Sequence, residues 1–239
     1  ALGAAAVSLV TVLPGAAARS PRRAPPAFAH ARAKSADASA FERDKGTLRI
    51  LVNGQQVGKE NFEISSNGGN WTARGVTEIR GQKSTTRVTG TLVLHPDGTP
   101  VHYAWSTEGA KKASAELDFK GPVVTSQLHE GQARPFMQQF TFSSARIAIL
   151  DNNLYDQYAV LAHLYDWNKK GAQTFPVLVP QELTPGSATV ESMGAQDVGG
   201  KQLEELKVTT QDNEIDVFLD GSRLMRISVP SANAEIVRE

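Results

Sequence analysis

From residue 47 onward, apolar and polar positions alternate with a period of two, the pattern of strands with one buried face. Runs 47–52 and 55–64 flank Asn53-Gly54. An Asn-Gly pair between such runs predicts a tight hairpin, because both turn positions need positive φ. Ser66-Asn67-Gly68-Gly69-Asn70 predicts a second turn, and 71–80 the next strand. Gly75 before Val76 disturbs its alternation and predicts a bulge. Run 87–95 alternates Val88, Gly90, Leu92 and Leu94 with polar or small residues and ends at Pro96-Asp97-Gly98, a turn in which proline fixes φ and glycine permits the reversal. Val101, Tyr103 and Trp105 then share one face, and Ala115, Leu117 and Phe119 share another, opposite Glu116, Asp118 and Lys120. Runs 123–128 and 138–142 add two strands.

The period changes near residue 151. Asp151, Asn152 and Asn153 are good helix caps, no Gly or Pro follows before 168, and Gly171 is a plausible stop, so a helix is predicted over 152–168. Leu154, Tyr158, Leu161 and Tyr165 fall on one stripe, Val160, Leu164 and Trp167 on another, leaving a narrow polar strip of Asp156, Ala159, His163 and Asp166. A helix apolar on most of its circumference is buried on more than one side. Strand patterns resume at 173–179, 188–192, 201–210, 214–219 and 222–229, the last two joined by Asp220-Gly221. The expected fold is mainly β: one large curved antiparallel sheet of about 11 strands, an open or closed barrel-like form, with one long helix packed against it.

Composition narrows the compartment more than the task. The 239 residues contain no cysteine, which removes disulfides, thiol catalysis and cysteine-ligated metals. Residues 1–18, ALGAAAVSLVTVLPGAAA, hold an apolar run of about ten residues, a Pro-Gly break and small residues suited to peptidase cleavage, so they are expected to be a signal peptide and the mature chain to be periplasmic or secreted. Residues 19–45 read as an Ala/Pro/Arg-rich disordered linker carrying seven of the 25 basic residues and three of the 25 acidic ones. Residues 46–239 then form a single domain with 18 basic and 22 acidic residues, a balance that argues against nucleic acid as partner. No later apolar run is long enough for a transmembrane helix.

No Gly-x-Ser-x-Gly elbow, phosphate-binding glycine loop or His-Glu-x-x-His motif is present, and no catalytic residue, metal ligand or cofactor site is assigned. His95 and His102 flank the turn at 96–98 and could approach each other, with Asp97, as a two-histidine site; His163 shares a helical strip with Asp156 and Asp166. Solvated surface groups are the plainer account of both. The aromatic set stands out. Tyr103, Trp105, Phe140 and Phe142 from strands, with Tyr155, Tyr158, Leu161 and Tyr165 from the helix, would line an apolar pocket or simply fill a core.

The segment 46–64, GTLRILVNGQQVGKENFEI, resembles the opening of exported bacterial DUF3108-type domains and the related DUF6134 group: a strand, a short turn, a Val-Gly step and a second strand. The Asp-led helix and the terminal Phe218-Leu219-Asp220-Gly221-Ser222-Arg223-Leu224 hairpin also resemble their order of elements. The layout is similar by analogy to LolA/LolB-like half-barrels, which hold lipid under a helical lid. The resemblance implies export and a barrel-like fold, with no catalytic residues to carry over. Three readings follow: a carrier of an apolar ligand such as a lipid or acyl chain, a non-enzymatic envelope scaffold or protein-interaction module with a filled core, and a histidine-dependent hydrolase.

Overall fold

The computed structural model of the chain describes residues 41–81, 84–110, 112–131 and 133–239. Among them, fifteen strands form one sheet. The N-terminal meander comprises β1 (Asp44–Val52), β2 (Gln55–Asn67), β3 (Asn70–Arg80), β4 (Thr85–Leu94), β5 (Pro100–Glu108), β6 (Ala113–Lys120), β7 (Val123–Glu130) and β8 (Phe136–Thr141). A two-residue strand β9 (Ala148–Ile149) and helix α1 (Asp156–Leu164) follow. The C-terminal meander is β10 (Gln173–Val179), β11 (Thr184–Val198), β12 (Lys201–Thr209), β13 (Glu214–Asp220), β14 (Arg223–Val229) and β15 (Ala234–Arg238). The spatial order runs from β8 back to β1, then β15 back to β9. The first and last strands therefore pair at the middle of the sheet, Ile50 opposite Ile236, and the two edges are consecutive in the chain.

Helix α1 touches β3, β14 and β9. Since β2, β1 and β15 lie between β3 and β14, the sheet has to curve around the helix to reach it from both sides. The edges β8 and β9 do not pair, so the curl stays open. Inward residues from every part of the sheet, among them Leu48, Phe62, Leu92, Leu117, Val190, Leu206 and Ile227, form one core with Leu154, Leu161 and Leu164. Burying each such leucine contributes about 1.5–3 kcal/mol. No helix among the described residues is long and apolar enough to cross a membrane.

The expected architecture holds, with corrections of detail. Fifteen strands lie among the described residues, more than the eleven or so expected; of these, β9 is too short to show alternation, and β15 follows a 3₁₀ turn at Pro230–Ala232 that hides it. The first strand begins at Asp44, and Phe41 is buried against the rings of Trp71 and His163. Residues 1–40, where the signal peptide and most of the linker were expected, lie outside the described residues. The register between β2, β3 and β4 is unbroken at Gly75, so no bulge sits there; Gly75 pairs with Gly90 for a packing reason given below. The helix covers nine residues instead of 152–168, because 151–155 form a turn, with Asn153 at positive φ, and Tyr165 turns extended.

Candidate functional site

The nine-residue helix is short for stability on its own, and Tyr155 at its N-cap makes no capping side-chain bond. Its ends are held by distant side chains of opposite charge. At the N-terminus Glu60 from β2 accepts from Tyr155 N at 2.8 Å and Asp156 N at 3.3 Å. At the C-terminus Arg146 Nη2 donates to Leu164 O at 2.7 Å, and Trp167 Nε1 donates to Ala162 O at 3.3 Å. An anion at the first turn and a cation at the last both oppose the helix dipole favourably.

Glu60 is fully buried, and Asp156 beside it is nearly so. Burial above all, then the charge of Asp156, raises the Glu60 carboxyl well above its ordinary acidity range, and burial pushes Asp156 up to about 6. Asp156 Oδ1 is buried without a hydrogen-bond donor. A single proton shared between the two carboxyls would satisfy both. The pair sits directly over Gly75: a Cβ there would collide with Glu60 Oε1 and lie 2.7 Å from Asp156 Oδ1. On the neighbouring strand a Cβ at Gly90 would collide with Leu154 Cδ1 and lie 3.0 Å from the Tyr103 hydroxyl. Two paired glycines thus let the start of the helix rest on the sheet backbone.

A second buried group adjoins the first. Tyr103 OH donates to Asp151 Oδ2 at 2.8 Å and accepts from Gln157 Nε2 at 3.1 Å. Asp151 also accepts from Asn152 N at 3.0 Å and from Gln181 N at 2.9 Å, and Gln157 Oε1 accepts from Asp151 N. Burial raises Asp151 to about 6 despite these donors, and desolvation raises Tyr103 well above its usual range. The network ties the turn before the helix to β5 and to the 3₁₀ turn at Pro180–Glu182.

Tyr103, Trp105, Phe140, Leu161 and Tyr165 are buried in one core, with Phe142, Tyr155 and Tyr158 half-buried against it. Phe140 and Phe142 lie side by side, ring centroids 6.4 Å apart, while Trp167 is exposed. The Tyr165 hydroxyl donates to Gly171 O at 2.8 Å and accepts from Ser192 N at 3.3 Å. The histidines are not brought together as a site. His95 bonds Thr99 within its turn through its backbone, and His102 Nδ1 lies 3.0 Å from Asp118 Oδ1. Asp156 and Ala159, expected on a polar strip, are buried, and Asp166 lies beyond the helix end. Among the described residues, no group of three or more His, Asp or Glu could hold a metal ion.

Two open clefts, of about 510 and 400 Å3, lie on the sheet. The larger is lined by charges of both signs, Arg43, Lys45 and Arg223 with Asp44 and Glu63; the smaller is lined by residues that include Ala104, Trp105, Ser106 and Ser114. Neither is lined by a residue of the helix.

No family model matches the chain, and no curated protein matches it in sequence. Its fold is like that of a solved bacterial protein. That structure is the β-barrel-like protein of the domain of unknown function DUF1849 from Brucella abortus, with a TM-score of 0.57 and 10% identity, over 84% of this chain and 97% of that one. The likeness shows the fold, a barrel-like domain.

The buried carboxyl pair was missed in the sequence, although a signal was present. In β2, Gly58, Glu60, Phe62 and Ile64 share the inward face, so a glutamate stands in register with core residues. Gly75 and Gly90 likewise occupy inward positions.

Proposed function

We propose that this chain is an exported, non-enzymatic envelope protein, a scaffold or protein-interaction module whose barrel-like interior is filled by its own helix. The observation that carries this reading is the seating of Leu154 and the Glu60–Asp156 pair directly on Gly75 and Gly90. The space a ligand would occupy between helix and sheet is taken by the chain itself there. The hydroxyls of Tyr103 and Tyr165, which could orient a ligand's polar end, are engaged by Asp151, Gln157, Gly171 and Ser192. Export, to the periplasm or beyond, is supported by the signal-like residues 1–18, and kinship with DUF3108-type or DUF6134 domains by the segment 46–64.

A second reading, carriage of an apolar ligand such as a lipid or acyl chain, is favoured by the half-buried Phe142, Tyr155 and Tyr158 at the margin of the core. Native mass spectrometry of protein purified from a bacterial envelope separates the two. A ligand-free mass, with no uptake of a fluorescent fatty acid, is the expected result. A co-purifying lipid displaced by that probe would transfer the case to the carrier.

A further inference from the structure

The edge strand β8 lacks the features that keep sheet edges from pairing with other chains. Its residues Phe136-Met137-Gln138-Gln139-Phe140-Thr141 include no charge and no proline, and its register with β7 has no bulge. Phe136 and Met137 are 54% and 56% exposed. The opposite edge differs: β9 has two residues, both buried, and the stretch of β10 it leaves unpaired, Gln173–Pro176, contains a proline.

The direction of the free backbone groups follows from the ladder. Phe142 N donates to Pro122 O at 2.9 Å, extending the β7–β8 pairing. In an antiparallel ladder alternate residues turn toward the neighbour, so Phe136, Gln138 and Phe140 bond β7. Met137, Gln139 and Thr141 turn their N–H and C=O groups outward.

We propose that two copies of this chain associate through β8 about a two-fold axis centred on Gln139. An axis perpendicular to a continuous sheet pairs residues of the same face. Centring it on Gln139 sets Gln139 opposite itself and Met137 opposite Thr141, so every outward N–H and C=O of both strands finds a partner. On the other face Phe136 comes to lie opposite Phe142 of the second copy, covering the most exposed aromatic ring of the edge. The paired segment carries no charge, so self-association brings no like charges together. Because the two-fold pairing uses β8 of both copies, it closes as a dimer and does not propagate. The proposal extends the interaction-module reading by naming the partner; it does not depend on the filled core.

The test is sedimentation equilibrium of the full chain at micromolar concentration, where twice the monomer mass is expected. Gln139→Pro removes an N–H that faces outward, a position where edge strands tolerate proline. It should raise the dimer dissociation constant by at least about tenfold, equal to ~1.4 kcal/mol, while circular dichroism stays unchanged. Met137→Lys, which costs no backbone bond, should act in the same direction. In the native chain, exchange of the Gln139 amide should slow as concentration rises. A chain that stays monomeric overturns the proposal, as does a dimer indifferent to both variants or a β8 edge that instead pairs with a different protein. Failure here leaves the fatty-acid experiment, and the reading it tests, untouched.

Discussion

Asp156→Asn probes the anchor beneath the helix most directly. Glu60 already accepts two N–H bonds from the helix start, while Asp156 Oδ1 is buried without a donor. A shared proton meets that need, and both groups are accordingly shifted upward, Asp156 to about 6 from 3.8 and Glu60 well above 4.5. The unfolded chain releases these protons near its ordinary carboxyl values. Above those values, and up to the folded-state values, the native protein holds the extra proton. Stability therefore falls as pH rises, by about 1.4 kcal/mol per pH unit for each proton retained. Asparagine places a permanent N–H where the proton was, leaving Glu60 free to ionise against three donors at the positive end of the helix. Near pH 5 the two chains should differ by no more than about 1 kcal/mol; near pH 7 the variant should be more stable by about 1–3 kcal/mol. Urea denaturation across that range measures both slopes. An identical pH slope in the variant, or a loss of several kcal/mol at every pH, would refute the shared proton.

Tyr103→Phe removes the donor to Asp151 and the acceptor for Gln157; it should cost about 1–3 kcal/mol by chemical denaturation, with the greater loss at higher pH where Asp151 is ionised. Gly90→Ala forces a methyl into Leu154 and should cost about 1–3 kcal/mol, visible as a lowered Tm. Arg238 binds Asp44 through two bonds of 2.7 and 2.8 Å, both groups well shielded, and lies over the Phe62 ring. Arg238→Ala should cost about 3 kcal/mol and speed amide exchange along β1 and β15, and the native pair should resist high salt.

How much of this was legible depended on whether a residue's partner was near in sequence. The hairpins near Asn53-Gly54 and Asp220-Gly221 were readable because a turn is decided by adjacent residues; the first falls where expected, and the second is displaced by one residue, its turn being Gly221-Ser222 with Asp220 paired to Arg223. The alternation of β6 also survives intact, with Ala115, Leu117 and Phe119 inside and Glu116, Asp118 and Lys120 outside. The helix was readable as an element buried on several sides, but not in extent. Its caps, Glu60 and Arg146, come from outside the local segment, and the local candidates Asp151 to Asn153 serve a turn instead. Tyr103, Leu161 and Tyr165 lie in the core at the inward positions that periodicity gives them. That two of their hydroxyls are engaged by other parts of the chain is a three-dimensional fact with no periodic trace. Gly75 read locally as a bulge because a glycine that makes room for a distant carboxyl looks the same in one dimension as one that bends a strand.

The seam where β1 meets β15 has a bearing on how the molecule is assembled. Asp44 and Arg238, joined across it, are 194 residues apart in sequence. Nearly all other strand pairs are neighbours along the chain and can zip up locally on either side. The seam has to wait for both meanders, and ribosomal synthesis delivers β15 after every other strand. Until that last strand docks, β1 and β14 present open flanks, so the nascent chain passes through a stage in which its sheet has four free borders and is most exposed to capture by a chaperone or by another unfinished copy.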